Sequence, residues 1–121
     1  MFNKMVVYEA LKRSQASVHF SGQDSFISLL IHDIFGGEIL KTPKKQNWHF
    51  YNRIDGERVD FTSIKEGQYK GATGFEDIPS TPDETYAYID QADYSTFFMR
   101  FVKAFEETVG LDKYRTGLTS N

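Results

Sequence analysis

The sequence predicts an α+β fold, a single domain over residues 1–121 in which a central buried helix packs on a small antiparallel sheet between flanking N- and C-terminal helices. Three observations predict it. A nearly continuous apolar segment, residues 26–35, is bracketed by helix-start and helix-stop signals. Two strand-like segments, 46–54 and 57–62, meet at Asp55-Gly56, a pair suited to a tight hairpin because both turn positions need φ > 0. A phenylalanine-rich stripe at helical spacing lies near the C-terminus. At 121 residues the chain is too short for two domains with good cores, and eleven Phe, seven Tyr and one Trp supply large side chains for one.

Taken in order, residues 3–13 place Val6, Val7, Ala10 and Leu11 on one stripe, the pattern of a short surface helix. Residues 14–23 are small and polar and read as a connection. Asp24 is then a candidate N-cap, its carboxylate able to accept from first-turn N–H groups, and Gly36 can end the helix in the left-handed region. Between them Phe26, Ile27, Leu29, Leu30, Ile31, Ile34 and Phe35 cover most of the circumference, as in a central helix. A buried strand is the competing reading, but the length and both end signals favour helix.

Residues 38–42 predict a first strand. If Asp55-Gly56 is a two-residue loop, Ile54 faces Glu57 and the register counts outward. Trp48, Phe50, Ile54, Val59 and Phe61 then share a core face, and His49, Tyr51, Arg53, Arg58, Asp60 and Thr62 share the opposite face, where chemistry would lie. Lys41, Lys44 and Lys45 around Pro43 read as a solvated turn, with a phosphate contact as the functional alternative. Residues 63–80, with Gly67, Gly71, Gly74 and Pro79, show little periodicity and read as loop-rich. Thr81-Pro82-Asp83-Glu84 has the form of a capping box and predicts a short helix toward Ile89, although Tyr86 and Tyr88 alternate as in a strand. Tyr94, Phe97, Phe98, Phe101, Val102, Phe105 and Val109 predict the last helix, with Gly110 as its stop and residues 111–121 as a frayed tail. Tyr51, Tyr69, Phe75, Tyr86 and Tyr88 are read as packing aromatics, with a cleft or interface as the alternative.

Composition narrows the function. There is no cysteine, so disulfides, thiolate metal sites and a thiol nucleophile are absent. Lys4, Glu9, Lys12 and Arg13 interrupt the first fifteen residues, which lack the apolar core of a signal peptide, and no apolar run approaches the roughly 18 residues that cross a bilayer. A cytoplasmic protein without a membrane partner is expected. Net charge is −3 with acids and bases interspersed, which lacks the broad basic face that nucleic acid requires.

One constellation carries chemistry. In the hairpin register His49 faces Thr62, and Asp60 sits two residues along on the same face, a diagonal roughly 7–8 Å between backbones and within reach of a side-chain hydrogen bond. An Asp that accepts from one imidazole nitrogen sets the tautomer and leaves the other nitrogen as a base. Pairing of Asp60 with Arg53 or Arg58 is the structural alternative. A helix start supplies unpaired N–H groups that favour an anion.

The segments Gly22-Gln23-Asp24, Phe35-Gly36-Gly37-Glu38-Ile39, Trp48-His49-Phe50-Tyr51-Asn52-Arg53 and Asp60-Phe61-Thr62 resemble, in order and spacing, the YunG-like family of bacterial proteins over about a third of the chain. In that pattern a Gly-Gln-Cys opens the helix. The resemblance implies a cysteine-protease-like fold with a papain/transglutaminase-like order of Cys, His and Asp. It makes His49 the base, Asp60 its orienter and Gln23 a candidate oxyanion neighbour. Asp24 stands where the cysteine would be. A carboxylate is a poor acyl-transfer nucleophile, and an ionised Asp beside the imidazole would hold it protonated. Ser25 is rotated by about 100° around the helix and is badly placed to substitute. The expected function is therefore a non-catalytic binding or interaction domain, a pseudoenzyme without cofactor that takes a peptide, a small amide-bearing molecule or a partner protein. Two alternatives stand beside it. One is a hydrolase or metal-dependent enzyme using Asp24, His49 and Asp60, whose donor types suit a divalent ion; the other is a structural or oligomeric role without ligand.

Overall fold

The computed structural model describes residues 2–14, 23–61, 64, 65, 68, 69 and 74–117. They fall into two compact units, Met1–His19 with Ala92–Asn121 and Phe20–Gln91. Among the described residues the architecture is α+β, with four helices and a four-stranded antiparallel sheet. Among the described residues no helix is long and apolar enough to cross a membrane.

The first unit is helical. Helix α1, Lys4–Ser14, starts where Asn3 Oδ1 accepts from the N–H groups of Met5 and Val6, and it buries Val7, Ala10 and Leu11 as the apolar stripe predicts. The last helix, α4 in chain order, spans Gln91–Gly117 and buries Tyr94, Phe97, Phe101 and Ala104 at helical spacing. The expected stop at Gly110 is corrected: the helix runs through Gly110 to Gly117. Gly110 does not take the left-handed conformation of a C-cap, and a glycine inside a helix costs only about 1 kcal/mol, which the flanking turns absorb. The stretch 118–121 lies outside the described residues.

The second unit holds the sheet. Helix α2, Gln23–Phe35, buries every residue from Ser25 to Ile31 and ends at Gly36, φ +81°, whose N–H bonds to the His32 carbonyl. Strands β1, Glu38–Lys44, and β2, Asn47–Ile54, pair antiparallel around a turn at Lys45 and Gln46. Asp55 and Gly56, φ +53° and +78°, then turn β2 into β3, Glu57–Val59, with Ile54 opposite Glu57 as the hairpin register predicts. Short strands β4, Ile64–Lys65, and β5, Gln68–Tyr69, form a separate pair. Strand β6, Ile78–Ser80, adds to β1 and completes the sheet order β3-β2-β1-β6. The loop reading of residues 63–80 is therefore corrected at these strands. Strand β6 contains Pro79 and is too short to show a period, and it owes its existence to pairing with β1. Helix α3, Pro82–Tyr86, starts as the capping pattern predicts, Thr81 Oγ1 accepting from the N–H of Glu84, and stops short of Ile89.

Helix α2 packs on β2, β1 and α3. Its side of the sheet carries Phe50, Asn52, Ile54 and Val59. Asn52 is fully buried and donates from Nδ2 to the Ser28 carbonyl at 2.9 Å, pinning helix to strand. The opposite face, where chemistry was expected, is also buried along β2: Tyr51 is 1% and His49 7% exposed. Residues 74–77 cover them. Burying the Tyr51 ring contributes roughly 1.5–3 kcal/mol, so β2 is packed on both sides and not half-solvated. Lys41 also departs from the solvated turn expected for it, because it bonds Glu84 and lies 4.2 Å over the Trp48 ring.

Candidate functional site

The β2–β3 pairing covers Asn52–Ile54 and stops at Val59, so the flank of β2 beyond Asn52 is left to side chains. Asp24, in the first turn of α2, reaches that flank. Its Oδ2 accepts the backbone N–H of Phe50 at 2.9 Å and lies 3.4 Å from His49 Nδ1. On the other side of the ring, His49 Nε2 is 2.7 Å from Asp60 Oδ2. Asp24, His49 and Asp60 thus converge in one row, and Gln23 opens the same helix, partly exposed. The N-cap role expected of Asp24 is corrected: the helix begins one residue earlier, and the carboxylate turns across to β2. Arg53 pairs with Glu38 through two hydrogen bonds, and Arg58 pairs with Asp77. Thr62, expected opposite His49, and Gly22 lie outside the described residues.

The electrostatics follow from the row. Burial pulls the imidazole pKa down, but contact with the Asp24 and Asp60 carboxylates more than offsets it and raises His49 to about 9. For Asp24 burial acts upward, and His49 together with the Phe50 amide outweighs it and holds the carboxyl below its ordinary value. Proton counting agrees. Each ring nitrogen faces a carboxylate oxygen, an arrangement that is attractive at both ends only when both nitrogens carry hydrogen. A pKa raised to about 9 favours the imidazolium at neutral pH, the form in which neither ring nitrogen offers a lone pair. Side-chain exposure is 21% for Asp24, 9% for His49 and 3% for Asp60, so Asp24 is the member that solvent reaches.

Tyr51 and Phe75, read from the sequence as packing aromatics, pack on the far face against His49, whereas the contacts of Asp77 with Tyr51 and Arg58 were missed. Tyr51 stacks beside His49, ring centroids 5.8 Å apart, and Phe75 lies 5.7 Å from His49 and 4.6 Å from Tyr51. The Tyr51 hydroxyl donates to Asp77 Oδ1 at 2.7 Å and accepts the Asp77 N–H at 2.8 Å. Arg58 Nε donates to the same carboxylate at 3.0 Å. The Arg58 hydrogen bond, opposed slightly by burial, lowers the Asp77 pKa. No periodic signal marks Asp77, which contacts residues 19 and 26 positions away.

The sequence model of a family described as YunG protein matches residues 7–106. The chain belongs to the YunG family. It is 38% identical over 73 residues to the Bacillus subtilis (strain 168) protein named "Uncharacterized protein YunG", an alignment covering 60% of this chain and 61% of the relative's length. No solved structure matches.

Proposed function

We propose that this YunG-family chain is a non-catalytic binding domain on a cysteine-hydrolase-like scaffold, in which Asp24 occupies the position of the nucleophile. The observation that carries this reading is the bracketed imidazole. An acid at the start of a buried helix, a histidine on the central strand and a second acid after the hairpin meet in chain order, yet the histidine is protonated from both sides. Such a group cannot activate a nucleophile or water by taking its proton. It can hold a ligand. The row carries two carboxylates against one imidazolium, and the partly exposed Asp24 oxygens are acceptors, so the fitting ligand presents N–H donors: a peptide, an amide-bearing small molecule or the backbone of a partner protein.

The metal-dependent alternative finds less support. Both imidazole nitrogens are engaged by carboxylates, and among the described residues no group of three His, Asp or Glu side chains is disposed to hold an ion. The structural alternative has one observation in its favour, because the row ties α2, β2 and the segment after β3 together. Thermal-shift titration with short peptides and primary amides separates the two. Saturable stabilisation of the native protein that is lost in Asp24→Ala is expected. No stabilisation by any of them would leave the row as a crosslink.

The scaffold reading has its own test in Asp24→Cys treated with iodoacetamide. Alkylation about tenfold faster than that of an ordinary exposed thiol is expected, with the excess removed by His49→Ala. A cysteine at 24 that reacts at the ordinary rate would refute the hydrolase-like ancestry of the site.

A further inference from the structure

We propose that residues 74–77 form a gate over the His49 imidazole, latched by Arg58, Asp77 and Tyr51. The Phe75 ring closes the face of His49 that the sheet leaves open and lies against Tyr51 as well. What holds Phe75 there is not strand pairing, since residues 74–77 lie outside the sheet ladder. Side chains from three strands hold it. Thr42 of β1 accepts the Glu76 N–H at 3.0 Å, Tyr51 of β2 accepts the Asp77 N–H, and Arg58 of β3 forks onto the Asp77 carboxylate. The Arg58 guanidinium is also 5.2 Å from the Phe75 ring centre, so one residue touches both latch and cover.

Two features make this a gate and not merely packing. The segment is framed by backbone in the left-handed region, Gly74 at φ +87° and Asp77 at φ +54°. At Asp77 that conformation is unfavourable for a side-chain-bearing residue and persists because the carboxylate and amide are both captured. The latch is also solvent-accessible, with Arg58 and Asp77 side chains each 29% exposed, whereas the imidazole it covers is 9% exposed. An accessible, screened ion pair opens at modest cost, and opening it breaks no ladder hydrogen bond. A ligand entering at Asp24 therefore meets a second wall that side chains, not backbone, keep shut.

This inference rests on His49 being part of the binding centre, but its test needs no ligand, so it fails or stands apart from the titrations above. Deuterium exchange at the imidazole C2–H of His49, followed by mass spectrometry across a pH series, reads ring access from the plateau rate and the pKa from the midpoint. Asp77→Asn keeps the volume and a residue tolerant of positive φ; Arg58→Met keeps an apolar stem. Each should raise the plateau rate at His49 about tenfold, the population change expected on losing a charge-assisted fork, while His32 stays at its native rate. A native rate at His49 in both variants overturns the gate. Acceleration of His32 together with His49 overturns it too, because the cluster would then hold the whole fold.

Discussion

At the scale of single residues, the behaviour of this protein turns on where one proton sits. His49 has a carboxylate oxygen at each nitrogen, so removing either acid frees a lone pair. Proton–nitrogen correlation spectra should show His49 titrating near pH 9, and Asp24→Asn or Asp60→Asn should each lower that midpoint by about one unit or more. A native midpoint at the ordinary histidine value would contradict the row. The His49–Asp60 half of this geometry was legible, since Asp55-Gly56 dictates a two-residue turn and the register then places the two on one face. The Asp24 contact was legible as an expectation from the resemblance, though its bond to the Phe50 amide was not. Asn52 and Asp77 were illegible for a physical reason. Asn52 is a polar residue on the core face between Phe50 and Ile54, Asp77 lies on no apolar period, and each is specified by a partner far along the chain.

Elements were easiest to read where a backbone requirement admits few residues. Gly36 and Gly37 both adopt φ +81° between α2 and β1, yet they differ in surroundings. A Cβ at Gly36 meets open space, whereas one at Gly37 would stand 2.6 Å from the Arg53 carbonyl oxygen. Gly36→Ala should therefore lose about 1 kcal/mol for its backbone conformation, and Gly37→Ala roughly 2–4 kcal/mol because a paired strand carbonyl must also shift. Urea unfolding of the two variants checks the order, and equal losses would mean that the helix–strand junction relaxes freely. The helix start at Thr81 and the hairpin at Asp55 were equally plain. The lengths of β3 and α4 were not, because no local signal tells a strand to stop at Val59 or a helix to continue past Gly110.

For the whole molecule, the buried row predicts a stability optimum on the acid side of neutrality. The folded pKa of His49 is raised, so its contribution is complete below about pH 6.5 and is lost as pH climbs through about 9, a loss of up to about 3 kcal/mol. Asp24 is shifted the other way, so its contribution exists above about pH 4 and disappears as pH falls through its lowered value. Urea midpoints at pH 6 and pH 9.5 should fall steeply for the native chain and much less for His49→Gln; the same drop in both would remove His49 from the account. The α+β class was readable from periodicity and end signals, while the division into two compact units was not, since distant segments at the two ends of the chain make up one of them. The amide that meets Asp24 has a wider consequence. Phe50 offers its N–H at a place where the sheet supplies no carbonyl, so residue 24 is obliged to bring an acceptor whatever its chemistry. A hydrocarbon there would strand a dry donor, while any anionic side chain would find a ready counterpart.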